Sequence, residues 1–219
     1  MNLGIGELPA RCDVLVVGAG PAGSAAAKWL ARAGREVLLV DQHAFPRDKV
    51  CGDGLIPDAH AALRRLGVLD EVAALATHVH HVRCIGPRGG RIDVPGSLAV
   101  LPRRRLDEIV CRAAVAAGAR MFAPARFVAP LSEGGRVVGA ELEHDGESRR
   151  VRADWLVLAT GAQPQAMLAA GLCERRAPSG IALRGYIRNP AMTSRIGFAC
   201  HVISISSKAK FWWNWIHPN

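Results

Sequence analysis

"DVLVVGAGPAGSAAAKWLARAGREVLLVD", Asp13 to Asp41, sets a glycine-broken turn between two apolar runs. Cys12 to Val17 is short, apolar and rich in β-branched residues, and Pro21 to Ala33 is alanine-rich with apolar positions at helical spacing, so the stretch reads as strand, tight turn and helix. Between them Gly18, Gly20 and Gly23 spell Gly-x-Gly-x-x-Gly. Gly18 permits the sharp turn, Gly20 lets the backbone approach a pyrophosphate, and Gly23 lets the helix pack closely on the strand. The helix N-terminus offers free N–H groups and a positive dipole end to an anion. The pattern extends through Ala27 and Gly34 into a second strand, Glu36 to Val40, and ends on Asp41, eighteen residues past the last glycine. An acid there can accept both hydroxyls of an adenosine ribose and repel a 2′-phosphate. The same glycines could serve packing alone in an ordinary βαβ unit.

Further along, Arg103 to Ala117 reads as a helix and Ala119 to Phe122 as a third parallel strand. Ala125 to Leu131, Arg136 to Glu143 and Ser148 to Arg152 alternate around "EGG" and "HDGE" turns, which predicts a three-stranded antiparallel meander over about 125–152. "ADWLVLATGA" follows as a buried strand ending in Ala-Thr-Gly at Ala159 to Gly161. The expected fold is α/β: a Rossmann-like FAD/NAD(P)-binding domain with a parallel sheet plus the meander.

That order resembles the FAD-binding domain of glutathione-reductase-like flavoproteins, in which a meander crosses over and the Ala-Thr-Gly strand returns beneath the cofactor. "FPRDKVCGDGL", Phe45 to Leu55, and "LPRRRLDEIVCRAAVAAGA" are similar to the Pro-x-x-Lys-x-Cys-Gly-x-Gly-Leu loop and the x-x-Arg-x-x-Leu-Asp helix of the geranylgeranyl-reductase family of FAD-dependent oxidoreductases. "RGYIRNP", Arg184 to Pro190, resembles that family's entry into its substrate domain. The resemblance runs from about Cys12 to about His201. It implies FAD as cofactor, with NAD(P)H as a candidate electron donor, and reduction of isoprenoid-type double bonds through flavin hydride transfer. It makes Gly18, Ala19, Gly20, Pro21, Ala22, Gly23, Asp41 and Gln42 cofactor contacts. Cys51 and Gly52 would stand beside the flavin, Arg103 would pair with the diphosphate or ribityl region, and Thr160 and Gly161 would lie near the diphosphate. Cys51 is the candidate catalytic residue, although a thiol in a glycine loop can also simply pack. Related flavin halogenases carry a Gly-Glu-Ser type sequence where Cys51 and Gly52 stand, which argues against halogenation. The family's third motif, Gly-Asp-Ala, is not matched: the one Gly-Asp is Gly52-Asp53, already inside the cysteine loop.

Composition fits this reading. Half the residues are hydrophobic and only 5% aromatic, which suits alanine-faced helices on aliphatic strands. The net charge of +9 comes from scattered arginines without interleaved aromatics, so no nucleic-acid partner is expected. Cys12, Cys51, Cys84, Cys111, Cys173 and Cys200 are widely spaced with no Cys-x-x-Cys pair, which indicates neither a zinc site nor a disulfide framework and suits a reducing compartment. His78, His80 and His81 lack a nearby acid or cysteine pattern and read as a polar strand edge, with no metal site expected. "MNLGIGELPA" has neither a basic start nor an apolar run, and the expected location is cytoplasmic.

The predicted division is a FAD-binding domain over 1–178, the start of a substrate domain over 179–201, and an atypical tail over 202–219. The substrate domain is thus missing or only begun. Two of the four lysines (Lys208, Lys210) and three of the five tryptophans (Trp212, Trp213, Trp215) fall in that tail. It reads as a foreign ending, or as a substrate-sheet strand left unpaired and disordered, since "WIHP" resembles the family's Trp-x-Phe-Pro. Rings flanked by lysines also suit peripheral contact with a membrane, where a hydrophobic isoprenoid substrate would be met. Two other functions fit the same domain: an FAD-dependent monooxygenase hydroxylating an aromatic or lipid substrate, and a non-catalytic nucleotide-binding fragment.

Overall fold

The computed structural model describes residues 5–51, 53–85 and 88–174, and the backbone of three strands at 181–185, 198–203 and 210–215. In chain order the regular elements are β1 (Arg11–Val17), α1 (Pro21–Arg32), β2 (Val37–Val40), β3 (Gly54–Leu55), α2 (Pro57–Arg65), α3 (Leu69–Leu75), β4 (Thr77–Ile85), β5 (Arg91–Val100) and α4 (Arg103–Ala116). They continue with β6 (Arg120–Phe122), β7 (Arg126–Glu133), β8 (Arg136–His144), β9 (Glu147–Leu158), α5 (Gln165–Ala169), β10 (Ile181–Gly185), β11 (Phe198–Ile203) and β12 (Lys210–Trp215). No helix among the described residues is long and apolar enough to cross a membrane.

The chain divides into two compact units. The first is Met1–Arg47 with Arg104–Arg176. Its sheet runs β6-β2-β1-β9-β8-β7, with β6, β2, β1 and β9 parallel and β9, β8 and β7 antiparallel. The period-2 alternation of β1 and β2 explains why both read as continuous apolar runs. Val14, Val16, Val37 and Leu39 pack with Ala27 of α1 and Cys111 and Ala114 of α4, while Leu15, Val17, Leu38 and Val40 face Phe122, Phe127, Leu142 and Val151. Strands buried on both faces have no polar side to show. The meander turns are the two-residue kind that left-handed backbone permits: Gly134 and Gly135 have φ of 57° and 78°, and Asp145 and Gly146 have 51° and 84°.

One expectation needs correcting. The third meander strand and the Ala-Thr-Gly strand are a single twelve-residue strand, β9. Its first part pairs with β8 as far as Arg152, and from Arg11–Arg152 onward it runs parallel to β1. No glycine, proline or asparagine interrupts 147–158, so the chain changes partner without turning. Among the described residues no strand pairs with 153–158 on the side away from β1, and Trp155 there is 70% exposed.

The second unit is Asp48–Arg103 with Ala177–Asn219, a different division from the sequence-based boundaries, because a β4–β5 hairpin pairs with strands from the C-terminal stretch. Its sheet order is β10-β11-β12-β4-β5-β3, with α2 and α3 preceding the hairpin in sequence. Lys210–Trp215, within the stretch read as a tail, pairs with β11 on one side and β4 on the other. His78 and His80 are exposed on either side of buried Val79, as one strand face demands, and the register shifts between Val79 and His81. His78 Nε2 lies 3.1 Å from the Ala73 carbonyl oxygen, and burial pushes the His60 imidazole below its ordinary pKa. Gly52 and much of the Arg184 to Pro190 stretch lie outside the described residues.

Candidate functional site

The parallel strands β1 and β9 end side by side, and the glycine turn is built on that pole. The Ala159 N–H donates to the Val17 carbonyl at 2.7 Å, and the Gly18 N–H to the Val40 carbonyl at 2.7 Å. Gly18 has φ +102°, and a Cβ there would lie 2.5 Å from the Ala159 carbonyl oxygen. A Cβ on Gly23 would come within 1.8 Å of the Gly18 carbonyl oxygen. These two glycines therefore close the turn and dock the helix on it, as the sequence pattern requires. Gly20 differs. It is the N-cap of α1 with φ −70° and ψ −177°, a conformation open to any residue. Backbone geometry leaves its glycine unexplained, whereas the close approach of a phosphate would explain it.

Pro21 occupies the first turn of α1, and no side chain caps the helix. Its first-turn N–H groups are thus left to the backbone carbonyls around them or to an outside anion. Ser24, fully buried, donates its hydroxyl to the Ala19 carbonyl at 3.0 Å and its N–H to the Gly20 carbonyl at 2.9 Å, which fixes the turn from inside. The Ala159–Thr160 peptide lies against Gly18, Thr160 is half-buried with its hydroxyl 3.3 Å from the Gln163 carbonyl, and Gly161 has φ +67°. The Ala-Thr-Gly segment and the first glycine of the fingerprint are in contact.

Asp41, at the tip of β2, is 5% exposed, and its carboxylate accepts four hydrogen bonds. Oδ2 accepts the Ala19 N–H at 2.9 Å and Arg47 Nη2 at 3.1 Å. Oδ1 accepts the His43 N–H at 3.0 Å and Arg47 Nε at 3.2 Å. The remaining arm of the same guanidinium, Nη1, donates to Asp107 Oδ2 at 3.0 Å, and Asp107 is fully buried on α4. Arg47 also stands over the Phe45 ring, 4.9 Å from its centroid. The acid that sequence spacing assigned to the ribose is therefore tied at once to the glycine turn and, through Arg47, to α4. Burial pushes the nearby Cys111 thiol up to about 11, against a smaller opposing effect of its hydrogen bond with Ser24.

Sequence reasoning missed Arg47 and Asp107 as partners. Both sit inside motifs already quoted, but nothing in one sequence pairs residues sixty positions apart. Of the other candidate residues, Gln42 is exposed with its amide 3.2 Å from the His43 ring, and Ala22 is exposed on the first turn of α1. Cys51, a half-buried free thiol, and Arg103 belong to the second unit. Asp53, 2% exposed with φ 55°, accepts the Arg103 N–H at 3.2 Å, and its carbonyl accepts the Leu101 N–H at 3.0 Å. Its carboxylate thus has a structural task at the start of α4.

The residues at this pole fit a bound dinucleotide diphosphate: a turn with no room for a Cβ at Gly18 or Gly23, a helix-cap glycine whose backbone angles do not demand glycine, and a fixed carboxylate at the next strand tip. Comparison with known proteins agrees. The pattern of the family described as FAD binding domain matches residues 11–187. A menaquinone reductase of Mycolicibacterium smegmatis is 39% identical over 188 residues, covering 82% of this chain and 45% of that protein. Digeranylgeranylglycerophospholipid reductase 2 of Methanopyrus kandleri is 37% identical over 161 residues, 73% of this chain and 40% of that protein. The chain spans less than half the length of these curated relatives. Among solved structures, the myxobacterial chondrochloren halogenase, an FAD-dependent halogenase, superposes with a TM-score of 0.68 at 20% identity over 96% of this chain and 54% of that one, a likeness of fold.

Proposed function

The chain belongs to the FAD binding domain family, and from that premise we propose that it is the cofactor-holding part of a flavin-dependent oxidoreductase that reduces isoprenoid-type double bonds. The observation that carries the reading is the buried Asp41 carboxylate, bonded to the Ala19 N–H of a turn in which Gly18 and Gly23 leave no room for a Cβ. Asp41 would take the adenosine ribose. The backbone from Gly18 to Gly23, with Pro21 and Ala22 opening α1, would take the diphosphate, and Thr160 and Gly161 would border it. Bound FAD would supply the hydride chemistry, and the protein would hold and orient it. Gln42, Cys51, Gly52 and Arg103 would take the contacts that the family resemblance implies for them, with NAD(P)H as the proposed donor.

The reductase names of two relatives support the reaction class, and the digeranylgeranyl name supports an isoprenoid substrate. Cys51 and Gly52, where halogenases carry Gly-Glu-Ser, keep the halogenase likeness to one of fold. Reconstitution with FAD, followed by flavin absorbance and fluorescence, tests the reading. Saturable binding at or below about 10 μM, within the ordinary range for a specific site, is the expected result. No saturable uptake would refute it.

The proposal extends to a cytoplasmic protein in peripheral contact with membrane, on the strength of the lysines and aromatic rings within 202–219. Sedimentation with anionic vesicles is expected to carry the chain down, and deletion of 202–219 to abolish this. Equal sedimentation by the deletion would remove that role from the segment.

A further inference from the structure

We propose that Arg47 is a positioning residue that competes with the adenosine ribose for Asp41, so that a dinucleotide binds by drawing Arg47 off that carboxylate and leaving it on Asp107. The inference rests on the reading of Asp41 as ribose acceptor and goes beyond it to a residue that the site description leaves without a functional role.

An ionised carboxylate offers about four lone-pair directions, two on each oxygen. On Asp41 all four are taken by donors of the chain itself: the N–H groups of Ala19 and His43, and Nε and Nη2 of Arg47. At 5% exposure the residue turns little of its surface to solvent. Two ribose hydroxyls can therefore donate to this carboxylate only if chain donors give way.

The four donors are not equally free to leave. Ala19 is fixed between the glycines of the turn, with its carbonyl held by Ser24, and the His43 N–H lies two residues from the carboxylate it serves. Both belong to the backbone. Arg47 is a side chain with a second anchor: Nη1 stays on Asp107, and the Phe45 ring lies beneath the guanidinium. Its five N–H groups point in a fixed fork, so a small rotation about the Asp107 contact withdraws Nε and Nη2 together. The cation remains buried and paired throughout, which is the condition for moving it cheaply. Asp41, meanwhile, keeps its orientation from the two backbone N–H groups. Arg47 is thus dispensable for aiming the carboxylate and obstructive to its occupation.

The sign of the expected effect follows. Weakening the Arg47–Asp41 fork should raise affinity for a ligand that uses the ribose hydroxyls, even while it lowers the stability of the free protein. Two variants keep the test independent of any one fold defect. Arg47→Lys retains the charge but replaces the fork with a single ammonium. The pair Arg47→Met with Asp107→Asn removes the cation together with the one of its two buried anions that is not the ribose acceptor. Each would be titrated calorimetrically with ADP and with 2′,3′-dideoxy-ADP, after circular dichroism has established a native fold.

The expected result is ADP binding about tenfold tighter than wild type in at least one folded variant, the worth of one charge-assisted hydrogen bond no longer displaced. The dideoxy nucleotide, which has no ribose hydroxyls to donate, should show no such gain. Unchanged or weaker ADP binding in both variants would overturn the proposal, as would an equal gain for the dideoxy nucleotide. A wild-type chain that binds neither FAD nor ADP would instead remove the ribose reading itself.

Discussion

The Asp41–Arg47–Asp107 chain and the meander pairs Arg126–Glu143 and Arg152–Glu133 use the same chemical groups in the same unit, but in opposite surroundings. The guanidinium of Arg47 is 10% exposed and touches carboxylates that are 6% and 0% exposed. Arg152 and Glu133 make two hydrogen bonds of 2.6 and 2.9 Å with half or more of each side chain in water. Arg152 holds the Glu133 carboxyl below its ordinary pKa, and Arg126 does the same for Glu143, yet water and salt screen both pairs. Good hydrogen-bond geometry alone is therefore no guide to importance. The buried chain links β2, the glycine turn and α4, and loss of Arg47 would leave two buried carboxylates without their shared cation. The meander pairs decorate a surface.

Substitutions in the buried chain and in the meander pairs should differ widely in cost. The largest loss should follow Arg47→Met, which leaves the buried Asp41 and Asp107 carboxylates without the cation they share. Urea unfolding should show destabilisation of about 3–5 kcal/mol. A loss no greater than that from a surface pair would erase the distinction. Next comes Gly23→Ala, whose Cβ would stand 1.8 Å from the Gly18 carbonyl oxygen. Pushing α1 off the turn should cost about 3 kcal/mol. Wild-type stability in this variant would mean that the turn is looser than its geometry shows.

A third effect belongs to the core beneath the turn. Burial pushes the Cys12 thiol from 9.0 up to about 11. Because the folded value is the raised one, the stability it represents is complete below pH 9 and is lost as pH climbs through about 11. The loss attributable to Cys12 across that window should be about 2–3 kcal/mol, and Cys12→Ala should flatten that part of the stability profile. A profile unchanged by the substitution would contradict the burial. The smallest effect is expected from Arg152→Ala: a melting temperature close to wild type, with any difference vanishing at high salt. A large, salt-resistant loss would give the meander pairs the weight assigned here to the buried chain.

Much of the first unit could be read from residues alone, since the glycine turn, the apolar strands and the two meander turns each leave a local signature. β9 was divided because its residue pattern changes at Ala153, from arginines alternating on a half-exposed strand to a nearly continuous apolar run. The absence of glycine, proline and asparagine from 147–158 is the signal that one strand continues. In the second unit the local signals were weaker. β5 carries Pro95 and Gly96 in its middle, residues that argue against a strand, and α2 and α3 are two short helices of nine and seven residues. Within the site, Gly18, Gly23 and Asp41 were visible because their spacing is local. Arg47 and Asp107 gain their roles from tertiary contact, which no spacing in a single sequence encodes.

Gly20 is the sharpest test of the turn from Gly18 to Gly23 as a cradle for a dinucleotide diphosphate, because no backbone angle there demands glycine. Calorimetric titration of Gly20→Val with FAD and with ADP measures it directly. The account expects saturable binding by the wild-type chain and none by the variant, with circular dichroism nearly unchanged. Binding of either ligand by Gly20→Val as tight as wild type would contradict it.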